Sequence, residues 1–167
     1  RDGLFQSASL ISSTGFASKD YAAWSDATHQ VLIAVMIVGG CAGSAAGGPK
    51  AIRHLLVARH IGRELKQVLH PRAILPLKYK GRGVPDHVMR AVFTLAVLYV
   101  GGYFVFGAVL TLLGNDPVTA FTASLACLGN IGPGLKEVGP MGNFAGFSAT
   151  GKCVLTFAMW IGRLEIL

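Results

Sequence analysis

The residues of this chain that could do chemistry do not assemble into the usual catalytic patterns. GGCAGSAAGGPK (residues 39–50) comes nearest to a phosphate-cradling loop, but Pro49 stands between glycine and Lys50. GxxxxGK[ST] is therefore not matched, and no β-strand pattern precedes it. Ser44 in AGSAAG lacks the GxSxG frame of a nucleophile elbow, and the five histidines form no HExxH. Cys41, Cys127 and Cys153 form no CxxC, and each lies in an apolar run. They read as small buried hydrophobes without a disulfide or zinc role. An enzyme is not expected.

What remains is polar main chain and one isolated charge. ISSTGFASKD (11–20) and GNIGPG (129–134) set small, hydroxylated or amide residues around a glycine between apolar segments. Inside a bilayer such irregular backbone survives only where it is buried in protein or lines water, because each carbonyl left facing lipid costs several kcal/mol. Arg163 ends the run VLTFAMWIGR (154–163), where a positive charge is costly and suggests a function. Two plainer readings are an anchor at the membrane surface and an ion pair with Glu165, although residues two apart on a helix do not face each other.

The elements that must hold these residues are written in the composition. Of 167 residues 52% are hydrophobic and 14% charged, against about 25% charged in soluble domains. The 22 glycines sit within apolar runs without a collagen period, as membrane helices allow. Three runs are candidate spans: Ala27 to Gly39, continuing uncharged towards Lys50; Val88 to Leu113; and Cys153 to Leu167. Five glycines in GGCAGSAAGGPK disfavour a continuous helix, so the first span should break inside the membrane. The opening RDGLFQSASL and the closing GRLEIL lead us to expect a piece of a longer chain.

From Lys50 to Arg90 there are ten basic residues against Glu64 and Asp86, whereas the rest of the chain has five basic and six acidic. Between two spans, this excess is expected to stay in the cytoplasm rather than to bind nucleic acid. Within it Ile52, Leu55, Leu56, Ile61, Leu65, Val68 and Leu69 recur at helical spacing, predicting an amphipathic helix over 51–69. HPRAILPLKYKGRGVPD then turns the chain back. With the basic block inside, the second span rises outward and the first and third descend.

Two further segments, DGLFQSASLISSTGF and DPVTAFTASLACLGNIGPG, are too short to cross. Each has an acidic start and about three helical turns before its glycine segment, which fits a re-entrant pore helix. Setting Gly15 on Gly132 gives an offset of 117 residues that also pairs Ser7 with Ser124. At an offset of 123, VLIAVMIVGG lies over VLTFAMWIGR, pairing Val31 with Val154, Leu32 with Leu155, Met36 with Met159 and Gly39 with Gly162, and setting Gly40 on Arg163. The order of pore helix, glycine segment and descending helix thus occurs twice.

Together SSTGF, GGCAGSAAGGPK, HPRAILPLK, GNIGPG and GRLEI resemble the second half of the Trk/Ktr/HKT superfamily of cation transporters, most closely its bacterial TrkH-type potassium uptake subunits. The resemblance covers essentially the whole chain and implies an all-α membrane protein of helix–pore loop–helix repeats, like a potassium channel. Residues 1–50 would be the pore helix, filter and second helix of a third repeat, residues 51–87 a cytoplasmic basic amphipathic segment, and residues 88–167 a fourth repeat.

In that family reading Ser13, Thr14 and Gly15, with Asn130, Ile131 and Gly132, form two of four selectivity-filter strands. Their backbone carbonyls replace the water around potassium, the transported substrate. GNIGP lacks the Thr-x-Gly character of the third-repeat strand, so the filter should be chemically asymmetric. The resemblance makes Gly40, Cys41, Ala42, Gly43, Ser44, Ala45, Ala46, Gly47 and Gly48 a gating loop, and makes Arg163 an electrostatic barrier beneath the filter. It also implies a multi-pass protein of the bacterial inner membrane, a homodimer, a cytoplasmic nucleotide-binding regulatory subunit as partner, and no cofactor. Small-residue helix packing for the loop, ordinary turns for the glycines, a sodium-permeable transporter and a non-conducting membrane scaffold are the alternatives the residues leave open.

Overall fold

The structure, a computed structural model, describes residues 1–71, 77–79 and 82–164. Its helices are α1 (Asp2–Ile11), α2 (Asp26–Val38), α3 (Ala51–Leu69), α4 (Asp86–Leu112), α5 (Pro117–Leu128) and α6 (Ala149–Leu164). A two-residue hairpin, β1 (Lys78–Tyr79) and β2 (Arg82–Gly83), and two single-turn 3₁₀ segments, Tyr21–Ala23 and Lys136–Val138, complete the described elements. The architecture is that of an all-α membrane protein. Residues 72–76 of HPRAILPLK, and Glu165 with its candidate pairing to Arg163, lie outside the described residues.

Among the described helices, length and composition set α4 apart as the one able to cross a membrane, whereas α2 stops after 13 residues, about as short as α5. At 1.5 Å per residue the 27 residues of α4 reach about 40 Å, enough to cross a hydrocarbon core of about 30 Å. α1 and α5, of 10 and 12 residues, reach only about 15 and 18 Å. α5 starts as its sequence predicts, with Pro117 in the first turn and the Asp116 carboxylate accepting from the Thr119 amide at 3.2 Å. α1 differs: Asp2 lies within its first turn, and the N-cap position, Arg1, makes no side-chain capping bond.

α5 is the hub. Thr119, Ala120 and every residue from Thr122 to Leu128 are buried, because α5 packs on α4, α6 and α2 together. Small side chains permit this: Phe121 lays its ring against the bare backbone of Gly107 on α4, and the Ser124 hydroxyl donates to the Tyr103 carbonyl at 3.1 Å. One apolar cluster joins Leu110, Ala123, Leu128 and Leu155. A second joins Leu10, Tyr21, Leu32 and Met36 to Leu125, Ile131 and Leu135, fusing the halves before and after the basic segment.

The predicted 51–69 helix is present as α3, but its apolar pattern is not a single buried stripe. Leu56 is buried with Leu77, Met89 and Val92, and Ile52 packs against that cluster. Leu55, Ile61, Leu65, Val68 and Leu69 are exposed, because α4 covers one face of α3 and these residues lie off it. The expectation of three buried cysteines is corrected too: Cys127 is buried inside α5, whereas Cys41 and Cys153 are exposed, all three as free thiols.

Gly107→Leu should force Phe121 and α5 away from α4, costing about 1–3 kcal/mol and lowering the melting temperature of the solubilised full-length protein. Adding Phe121→Ala should recover part of that loss, a coupling that a double-mutant cycle on thermal melts would measure.

Candidate functional site

The two half-spanning helices end with the same three backbone bonds, to which α1 adds one from the Gly15 amide to the Ser9 carbonyl at 3.5 Å. In α1 the amides of Ser12, Ser13 and Thr14 donate to the carbonyls of Ala8, Leu10 and Ser9 at 3.1, 3.2 and 3.0 Å. In α5 the amides of Gly129, Asn130 and Ile131 donate to Leu125, Cys127 and Ala126 at 2.9, 3.1 and 2.9 Å, each 117 residues further on. This is the Schellman pattern of a helix closed by a left-handed residue. The left-handed residues are Ser13 and Asn130, with φ of 55° and 50°, and a second left-handed residue follows two positions later in each case, Gly15 at 71° and Gly132 at 109°. The 117-residue repeat seen in residue types is therefore also a repeat of backbone conformation.

Beyond these ends each chain returns past its own helix, held by buried side chains. Ser9 Oγ donates to the Phe16 carbonyl at 2.6 Å, and Gln6 Nε2 donates to the Lys19 carbonyl at 3.1 Å. In the second copy Thr122 Oγ1 accepts from the Leu135 amide at 3.2 Å, and the Gly134 amide donates to Val138 at 2.7 Å. The Ser12 and Thr14 hydroxyls are hydrogen-bonded to each other. The two returning segments adjoin: a Cβ added to Gly15 would collide with the Ile131 carbonyl oxygen and lie 3.1 Å from Pro133 Cδ. Gly132 has open space where its side chain would be.

Tyr21 bridges the same two segments further out. Its hydroxyl donates to the Gly134 carbonyl at 3.2 Å, and the side chain is buried. Burial, reinforced by the Asp20 charge, pushes the phenol up to about 12, so at neutral pH it remains a donor. At the start of α5, Lys136 Nζ lies 3.0 Å from the Asp116 carboxylate and holds it below the usual carboxylate range, helped by the Thr119 amide.

The segment between α2 and α3 lies against the ends of both half-spanning helices. α2 stops at Val38, and Gly39, Gly43 and Gly48 take φ of 68°, 80° and 75°, so the break expected inside GGCAGSAAGGPK is real. A Cβ on Gly40 would sit 3.4 Å from the Ile11 carbonyl oxygen, and one on Gly47 2.9 Å from Asn130 Cβ. Gly39 and Gly40 are buried, as are Ala46 through Gly48, while Cys41, Ala42, Gly43, Ser44 and Ala45 are exposed. Arg163 reaches this exposed part, donating from Nη1 to the Ala45 carbonyl at 2.8 Å. α6 also meets the second helix end: Gly162, the residue before Arg163, abuts the Leu128 carbonyl, and one turn before Arg163 the Met159 carbonyl accepts from Asn130 Nδ2 at 3.2 Å.

Ser13, Thr14 and Gly15, Asn130, Ile131 and Gly132, the 40–48 segment and Arg163 thus converge on one place. Sequence reasoning missed Gln6, Tyr21 and the Asn130 amide. A glutamine or a tyrosine among apolar residues carries no local sign of which distant carbonyl it serves, and Tyr21 and Gly134 are 113 residues apart.

Comparison with known proteins identifies the family. A family model described as TrkH, a cation transport protein, matches residues 1–167. The Trk system potassium uptake protein TrkH of Vibrio parahaemolyticus is 39% identical over 98% of this chain and 33% of its own length. The Trk system potassium uptake protein TrkG of Escherichia coli K12 is 36% identical over the same shares. A crystal structure of the potassium transporter TrkH from Vibrio parahaemolyticus superposes with a TM-score of 0.87 at 38% identity, covering 98% of this chain and 35% of that one. The chain spans about a third of the length of the curated relatives it matches. A match over every residue, with relatives above 30% identity, makes this chain a member of the TrkH family of cation transport proteins.

Proposed function

We propose that this chain supplies two of four walls of a potassium-conducting pore in the bacterial inner membrane, as part of a multi-pass potassium uptake protein. The observation that carries the reading is the backbone contact between the segments at Gly15 and Ile131, each springing from a half-spanning helix closed by the same three backbone bonds. Successive carbonyls of these irregular segments turned towards one side would make the oxygen-lined wall that a dehydrated cation requires. Carbonyls of Ser13, Thr14, Gly15, Asn130, Ile131 and Gly132 then stand in for the hydration shell of potassium, the transported substrate. The C-terminal ends of α1 and α5, each worth about half a negative charge, add a field that favours a cation.

Below this filter, residues 40–48 act as the gate and Arg163 as its electrostatic bolt. Ala45 and Arg163 support the assignment, because a guanidinium bonded to a loop carbonyl both holds the loop and places a positive charge in a cation's way. Residues 51–87 would form the cytoplasmic basic surface against which a nucleotide-binding regulatory subunit docks, and the complete protein would work as a homodimer. The relatives' names, each a protein of a potassium uptake system, support the substrate and a multicomponent setting.

Potassium-dependent growth of a transport-deficient host carrying the full-length chain tests the reading; failure to restore growth by well-inserted protein counts against it. Gly15→Ala should abolish uptake, since its Cβ meets main chain at a left-handed φ, whereas Gly132→Ala, strained but unobstructed, should retain measurable flux.

Arg163→Ala should raise resting cation conductance by about tenfold, the equilibrium shift expected from losing one charge-assisted hydrogen bond of about 1.5 kcal/mol. Single-channel or flux recordings in proteoliposomes would read it, and unaltered conductance and gating would remove Arg163 from the mechanism.

A further inference from the structure

Two side chains hydrogen-bond between the half of the chain before α3 and the half after it, among the described residues, and the proposed filter lies between them. Arg163 to Ala45 is the inner one, already assigned to the gate. Tyr21 to Gly134 is the outer one. Tyr21 is only 1% exposed, it belongs to the apolar cluster with Leu10, Leu125, Ile131 and Leu135, and its hydroxyl ends on a carbonyl two residues beyond Gly132.

The peptide at Gly134 is secured on every side. Its N–H goes to Val138, its C=O receives Tyr21, and the next N–H, of Leu135, goes to Thr122. Two of these three bonds come from the same half of the chain, so they fix the segment only relative to α5, through Thr122, and to the 3₁₀ turn at Val138. The Tyr21 bond fixes it relative to the other segment. His29 Nε2 lies 2.8 Å from the Tyr21 carbonyl and Trp24 meets the Tyr21 ring edge-on at 6.3 Å, so the hydroxyl is presented from a braced residue.

A cavity lined by carbonyls discriminates between ions by its width and by how stiffly the oxygens are held. Resting on the pore reading above, we infer that Tyr21 is a positioning residue for ion selectivity: its hydroxyl sets the spacing between the filter segments at Gly15 and Gly132 without touching the ion. Removing one neutral hydrogen bond should loosen that spacing and leave the strands in place, so selectivity should fall before conduction does.

The test is Tyr21→Phe in the full-length protein, reconstituted in liposomes, with potassium-to-sodium permeability ratios taken from reversal potentials. A ratio does not depend on how many pores are inserted, so a loss of protein alone cannot mimic the effect. The expected result is potassium conduction retained and the ratio lowered about 3- to 10-fold. An unchanged ratio would overturn the inference, and so would a variant that fails to assemble, since the bond would then serve folding rather than selectivity. A wild-type chain that carries no potassium would instead withdraw the pore reading, and this inference with it.

Discussion

Everything in this architecture answers to one constraint: a peptide oxygen in an apolar medium must find a proton donor or a cation. α1 and α5 end part-way through the thickness that α4 can cross, so their last carbonyls cannot be left to water. The Schellman closures satisfy Ser9 and Leu10 in one helix and Ala126 and Cys127 in the other. Gly162 of α6 crowds the Leu128 carbonyl, and the backbone at Gly40 lies close to Ile11. The strands that follow keep their own oxygens directed by hydroxyls and an amide from Ser9, Gln6 and Tyr21. On the proposed reading, pore helix, filter and gate are successive answers to one problem of unsatisfied backbone.

The large features of this solution were legible from residue types because they depend on local rules. Asp116 and Pro117 start a helix, five glycines in twelve residues stop one, and a 27-residue apolar segment crosses. α2 and α6 begin 123 residues apart, the offset read from their matching residues. Gly15 and Gly132 turn left-handed, as glycine readily does, but Ser13 and Asn130 do so too, a conformation asparagine tolerates and serine seldom signals. Periodicity marked α3 but could not say which of its apolar residues would meet a neighbour, so Leu65 and Val68 are exposed where Leu56 is buried. Partners as distant as Tyr21 and Gly134, or Arg163 and Ala45, are set by the tertiary fold and have no signature in a sequence window.

The loop between α2 and α3 combines close contact with weak attachment. Glycine lets its backbone approach Asn130 and Gly129, where any side chain would intrude. Yet within it the described backbone bonds are few: the Ser44 amide reaches Cys41, and Gly40 receives the amide of Ala51. A segment that fills space without being woven into a helix can leave that space at small cost, which is what the proposed gate would require. Arg163 supplies the specific tie that packing does not.

The two copies of the pore unit match from helix end to filter at an offset of 117 residues, and their descending helices start 123 apart. All the surplus therefore lies on one side, in the connection that carries the 3₁₀ turn Lys136–Val138 and the Phe144–Phe147 ring pair. The longer connection also carries the ion pair of Lys136 with Asp116, so on the proposed pore reading the two copies would differ at the rim while matching at the filter. If the proposed pore is correct, the two sides of its entrance formed by these copies would be chemically unequal, and any molecule reaching them would meet one rim unlike the other.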